Sequence, residues 1–227
     1  MINDFINLFY PQNCKSCGNT LFKHEYLICN YCKVHLPKTD FHLSINNPIE
    51  KIFHGRVPLE FASCFYNFTK QGKVQKILHA IKYKNSKELA VLVGELYAKE
   101  IKDILLLKQA TIVIPVPLHD KKMKTRGFNQ SEEFAIGIAN ELDLKISTKN
   151  LIRKEFTETQ TKKNKFQRWE NVENKFTIVN PNELQNQHVI LVDDVITTGA
   201  TIEACCESLL TVPGIKISVL GIAYASF

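Results

Sequence analysis

Apolar residues recur at helical spacing through Val74, Ile77, Leu78 and Ile81, and again, after the polar stretch KYKNSKE, through Leu89, Leu92, Leu96, Ile101, Ile104 and Leu105. This periodicity predicts two helices joined by a short turn. Beyond them the pattern changes. TIVIPVP is a short β-branched run closed by prolines, SEEFAIGIANEL is an amphipathic helix, and LKISTKNLI reads as one strand. HVILVDD and KISVLGIAYA carry continuous apolar runs, as strands of a parallel sheet covered on both faces must. Strands alternating with helices predict an α/β domain, a central mostly parallel sheet with flanking helices and right-handed crossovers. Its ligands should gather at the carboxyl ends of the strands.

The N-terminal stretch follows another rule. An apolar opener, FINLFYP, a cysteine window and a polar exit, PKTDFHLSINNP, leave too little apolar material for a core. We therefore expect a small module over 1–45 and the main domain, with the two connecting helices, over 46–227. Within CKSCGNTLFKHEYLICNYC, Cys14, Cys17, Cys29 and Cys32 form two CxxC pairs eleven residues apart. Four thiolates brought in from two tight turns close a tetrahedral zinc shell with no position open for chemistry. Such a metal is structural and supplies most of the module's folding free energy. A redox dithiol pair or metal-free cysteines are the other readings. Seven cysteines, four of them in one window, argue against a secreted disulfide framework. Cys205 and Cys206 share a helical stripe with Ile202 and Leu209 and read as core, while Cys64 shows no partner pattern.

The strand VILV, expected to end at Val192, delivers Asp193 and Asp194 to the carboxyl edge of the sheet. There two carboxylates can accept hydrogen bonds from vicinal hydroxyls or help to hold a divalent cation. Thr197, Thr198, Gly199, Ala200 and Thr201 then lead into a helix, whose first N–H groups and dipole favour a phosphate. A sugar phosphate fits both halves at once. Simple capping of the helix by Thr198 or Thr201 explains a threonine, but not two acids behind four buried apolar residues.

Charge sharpens this picture. The net charge is +6, yet the stretch 145–168 holds eight Lys or Arg against two Glu, and 119–126 holds four against one Asp. The rest of the chain is mildly acidic, so the positive charge is concentrated, as suits a polyphosphate or nucleic acid. No apolar run reaches the roughly 18 residues of a membrane span, and no secretory signal pattern opens the chain. A cytoplasmic location is expected.

VILVDDVITTGAT resembles the phosphoribosyl-pyrophosphate motif of the type I phosphoribosyltransferases. Three further stretches, IPVPLHDKKMKTRGFNQSEEFA at 114–135, RKEFTETQTKKNKFQRWENVENKF at 153–176 and the paired CxxC, resemble the ComF family, in that family's order over nearly the whole chain. The resemblance implies a type I phosphoribosyltransferase fold with an N-terminal zinc ribbon. It implies that Asp193 and Asp194 bind ribose hydroxyls and that Thr197, Thr198, Gly199, Ala200 and Thr201 cradle the 5'-phosphate. Lys121, Lys124 and Arg126 would lie in a pyrophosphate loop after TIVIPVP, and Arg153, Lys162, Lys163 and Arg168 on a mobile basic loop that closes over the site. Asp193, Asp194, Lys124 and Arg126 would then be catalytic. Mg2+ bridging pyrophosphate and ribose oxygens would assist departure from C1'.

Two functions follow from the resemblance. One is a phosphoribosyltransferase, or a sensor of phosphoribosyl pyrophosphate, linked to competence. The other is a single-stranded DNA-binding factor working with the DNA-uptake machinery, its transferase fold not catalytic. Thr197 stands where some purine transferases carry an aspartate that handles a proton on the base, so the acceptor is not indicated. Among single residues, His79 reads as structural, His119 falls in the presumed pyrophosphate loop, and Lys82 with Tyr83 matches a family pattern of no evident purpose. Phe166 and Trp169 beside Arg168 could stack on a base or pack as core.

Overall fold

In the computed structural model, which describes residues 11–104, 106–153 and 176–226, five strands form one sheet. Their order is β1 (Phe61–Asn67), β7 (Lys216–Tyr224), β6 (His188–Ile196), β2 (Ile112–Pro115), β3 (Lys145–Ile146), and every neighbouring pair is parallel. β4 (Leu151–Arg153) and β5 (Phe176–Ile178) pair antiparallel in a separate two-stranded sheet. The helices are α1 (Asn30–His35), α2 (Pro48–Phe53), α3 (Lys73–Tyr83), α4 (Lys87–Ile101), α5 (Asp120–Arg126), α6 (Gln130–Leu142) and α7 (Ala200–Leu209).

Strand β6 shows why its apolar run is continuous. Successive side chains point to opposite faces. Ile190 and Val192 join the cluster built on α3, α4 and α6, whereas Val189 and Leu191 join the one built on α2 and α7. Both faces are covered, as the continuous pattern requires. The two predicted helices are α3 and α4. Leu89 and Ile101 are fully buried, while Leu92, Leu96 and Ile104 pack at the edge of the cluster.

Three expectations change. β6 does not stop at Val192 but carries Asp193 and Asp194 within the strand, paired with β7 as far as Ile196. LKISTKNLI is two strands rather than one. Asn150 breaks it, because its buried amide exchanges hydrogen bonds with the Asn180 backbone, at 2.9 and 2.8 Å, and so turns the chain into the small sheet. The stretch after TIVIPVP is not wholly a loop, since Lys121, Lys124 and Arg126 sit on α5. His79, read as structural, lies at the surface rather than in the core: it is exposed beside Tyr83, ring centroids 4.9 Å apart.

The cysteine module packs onto the sheet layer. Its Ile28, Cys32 and Leu36 share one buried cluster with Phe65, Tyr66 and Ile77, and the Thr39 N–H donates to the Phe65 carbonyl at 2.9 Å. By contrast Phe22, Tyr31 and Val34 are exposed, so the described part of the module has no apolar centre apart from its cysteines and this shared face. Among the described residues no helix is long and apolar enough to cross a membrane.

Candidate functional site

The carboxyl end of β6 brings three parts of the chain together around the two acids. Asp193 Oδ1 accepts from the Ser131 hydroxyl at 3.0 Å and from the Asp194 N–H at 2.8 Å. Asp194 Oδ2 lies 2.8 Å from Lys82 Nζ. Burial and the neighbouring Asp194 charge push the Asp193 carboxyl up to about 7, against the opposing pull of the Asp194 N–H, Ser131 and Lys82. Lys82 thus acquires the purpose its sequence did not reveal.

The turn after β6 is built for a close backbone approach. Thr197, Thr198, Gly199, Ala200 and Thr201, with Asp193, line a small recess of about 60 Å³ at the start of α7. Gly199 caps that helix at φ +77°, a left-handed conformation that favours glycine. A Cβ there would fall 2.7 Å from both Ile52 Cγ2 and Phe53 Cε1 of α2. Because Gly199 supplies no side-chain cap, the first N–H groups of α7 are left for another acceptor. Arg56 braces the turn, donating to the Thr198 carbonyl at 3.0 Å and to both carboxylate oxygens of Glu203.

The α5–α6 junction forms a further wall. His119 caps α5, its Nδ1 accepting from the Lys121 N–H at 3.2 Å, which gives this histidine a structural task. Asn129 donates to the Val116 carbonyl at 3.0 Å and caps α6, which places Ser131 against Asp193. Arg126 donates to Gln130 Oε1 at 2.6 Å and lies over the Tyr83 ring at 5.8 Å. Gln130 in turn precedes Ser131, the residue that donates to Asp193. Lys121 and Lys124 are exposed on α5, with no ion-pair partner among the described residues. Arg153 is held in β4 over the Phe176 ring at 5.4 Å. Lys162, Lys163, Phe166, Arg168 and Trp169 lie outside the described residues.

Sequence reasoning missed Ser131, Gln130 and Arg56 altogether. The motif NPIE was a legible signal for the helix that carries Arg56's neighbours. Asn47 accepts from the Ile49 and Glu50 N–H groups, the Glu50 carboxylate accepts from the Asn47 N–H, and Pro48 opens α2.

The cysteines form the second site. The sulfurs of Cys14, Cys17, Cys29 and Cys32 all lie within 4.8 Å of one another, and those of Cys17 and Cys29 are 3.8 Å apart. Zinc–sulfur bonds of about 2.3 Å in a tetrahedron give a sulfur–sulfur edge of about 3.8 Å. The donor set therefore fits a zinc ion. Burial pushes the Cys14 thiol up, but N–H groups of Cys17, Cys29 and Ser16 outweigh it and bring it down to about 7. Burial pushes Cys32 up to about 12, so a bound cation would be needed to hold all four as thiolates. Cys64, Cys205 and Cys206 are fully buried core residues.

The phosphoribosyl transferase domain family model matches residues 128–223, from the α5–α6 junction through β7. The chain is 29% identical over 213 residues to competence protein F of Haemophilus influenzae, covering 93% of this chain and 84% of that protein. It is 24% identical over 218 residues to the DNA utilization protein YhgH of Escherichia coli, covering 89% and 92%. YhgH of Salmonella typhi is 29% identical over 140 residues, 59% of this chain and 60% of the relative. Among solved structures, the allosteric regulatory enzyme of purine biosynthesis aligns over 57% of this chain and 25% of its own at 20% identity, with a TM-score of 0.41.

Proposed function

This chain is a homologue of competence protein F and YhgH carrying a phosphoribosyl transferase domain, and from that premise we propose that it binds phosphoribosyl pyrophosphate with Mg2+ at the carboxyl end of β6. One observation carries this reading: Asp193 and Asp194 lie near the end of β6, and the short turn from Thr197 to Gly199 leads from it into helix α7, whose N-cap Gly199 supplies no side-chain cap. The acids accept the ribose hydroxyls, and the turn of Thr197, Thr198, Gly199, Ala200 and Thr201 donates N–H and hydroxyl groups to the 5'-phosphate. Lys121, Lys124 and Arg126 face the pyrophosphate, joined by the basic segment of Arg153, Lys162, Lys163 and Arg168. Mg2+, when bound, neutralises charge on the departing pyrophosphate. Thr197 brings no carboxylate and so offers no general base, and the residues named above would contribute orientation and charge stabilisation. Zinc held by Cys14, Cys17, Cys29 and Cys32 orders the 1–45 module, whose Ile28, Cys32 and Leu36 pack against the 46–227 domain.

Calorimetric titration tests the reading. Wild type is expected to bind phosphoribosyl pyrophosphate in the presence of Mg2+, and Asp193→Ala and Asp194→Ala to lose that binding. No heat from wild type, with unchanged variants, would remove the proposal. The acid pair also sets a pH dependence. The raised Asp193 pKa of about 7 means that the carboxyl keeps its proton at about pH 6 and has released it by about pH 8. Affinity for ribose hydroxyls is expected to rise across that interval in wild type and to stay flat in Asp193→Asn. Because the folded pKa lies above the unfolded one, the stabilisation is present below about pH 4 and is lost as pH rises through 7. The ligand-free protein should therefore melt at a lower temperature at the higher pH.

A second reading, single-stranded DNA binding, is favoured by a cleft of about 600 Å³ between the cysteine module and α3. Lys15, Lys76, Lys84 and His79 line it, and Tyr83 stands 63% exposed next to His79. On this reading oligonucleotide affinity falls steeply with salt, and Lys76→Glu with Lys84→Glu flattens the slope by about 0.7 for each phosphate no longer neutralised. Unchanged slopes in the double variant would count against it.

A further inference from the structure

Lys82 continues the α3 stripe of Val74 and Leu78, at four-residue steps, past the end of the apolar core. Its ammonium ends 2.8 Å from Asp194 Oδ2, with side-chain exposures of 19% and 17%. A lysine drawn this far from water loses hydration that one carboxylate only partly offsets, so fold stability alone is a weak reason for the pair. Its placement beside a second acid is more informative. Asp193 commits Oδ1 to Ser131 and the Asp194 N–H, and Asp194 commits Oδ2 to Lys82. Two adjoining carboxylates are a natural seat for a hard divalent cation. Here, however, an ammonium already covers one oxygen and cancels one negative charge. Mg2+ dehydrates reluctantly and settles on one or two carboxylates chiefly when substrate phosphates complete its shell.

We infer that Lys82 is a built-in cation of the acid pair, which keeps a free divalent ion off Asp193 and Asp194 until a diphosphate brings the metal with it. The inference rests on the donor-binding reading of this site. Lys82 is a positioning residue: it holds Asp194 in place and ties metal occupancy to the presence of the donor. The ammonium carries three N–H donors, and its nitrogen lies 2.8 Å from Asp194 Oδ2. Arginine would preserve the charge, whereas methionine would keep the length of the stem and remove the charge.

Full-length, zinc-loaded protein is titrated with Mn2+, the free ion followed by electron paramagnetic resonance, with and without inorganic pyrophosphate. Wild type and Lys82→Arg are expected to take up Mn2+ appreciably only with pyrophosphate. Lys82→Met is expected to bind Mn2+ alone at least roughly tenfold more tightly than wild type, and adding Asp194→Asn to remove that gain. Lys82→Gln serves as the second uncharged variant should the methionine protein not fold. Equal Mn2+ affinity in wild type and in the folded uncharged variant overturns the inference, as does an arginine variant that behaves like the uncharged one. If wild type fails to take up Mn2+ even with pyrophosphate, the donor reading fails, while a gain in the uncharged variant still supports the built-in cation.

Discussion

Stripping the metal from Cys14, Cys17, Cys29 and Cys32 with a chelator is expected to lower the melting temperature by about 10 °C or more and to release one zinc ion per chain. The residues that the metal would organise have little else. Among the described residues, two isolated bridges, Asn13 with Thr20 and Tyr26 with Ile28, and the six-residue α1 are the regular elements around the cysteines. Structural zinc contributes on the order of 10 kcal/mol to modules of this kind. A loss of even several kcal/mol moves the melting point of a chain this size by about 2–4 °C per kcal/mol. The damage should not stop at the module, because Ile28, Cys32 and Leu36 share their cluster with Phe65, Tyr66 and Ile77. Loss of metal thus exposes one side of α3, the helix that presents Lys82 to Asp194. Chelation that removes zinc without moving the melting curve would show that the cysteine cluster is not a folding element.

Replacing Gly199 by alanine is expected to cost about 2–5 kcal/mol of stability and to weaken phosphoribosyl pyrophosphate binding more than tenfold. Two penalties combine. A non-glycine residue at φ +77° costs about 1–2 kcal/mol. A Cβ at 2.7 Å from Ile52 and Phe53 forces α2 away, an overpacking effect of about 1–3 kcal/mol. Moving α2 also disturbs Arg56, which ties that region to Thr198 and Glu203. Gly127 is the control. It has the same left-handed backbone, φ +78°, but no atom lies within 4 Å of its would-be Cβ. Gly127→Ala should therefore show the conformational penalty alone. Equal destabilisation in the two variants would mean that contact with α2 does not set the shape of the turn.

The parts of this protein that could be read in the sequence are those whose chemistry is local. The four cysteines are two turn-sized pairs, and the acids, the glycine and the start of α7 fall within one stretch of eight residues, 193–200. Their placement needed no knowledge of the rest of the chain. β1 was harder to see because six of its seven residues are buried, which erases the alternation that marks a half-covered strand. α2 was hidden by its brevity, although its capping box was present in NPIE. The residues that escaped notice act across the sequence: Arg56 reaches Glu203, 147 positions away, and Ser131 reaches Asp193 across 62. Lys82 stood out in sequence but remained unexplained, since only the packing of α3 against β6 shows which carboxylate it meets.

The central claim is that the carboxyl end of β6 is a phosphoribosyl pyrophosphate site, and isothermal titration of the zinc-loaded protein with that ligand and Mg2+ tests it most directly. The account predicts saturable binding to one site per chain, lost in Asp193→Ala and Asp194→Ala. Absence of binding by wild type, or equal binding by the aspartate variants, would contradict it.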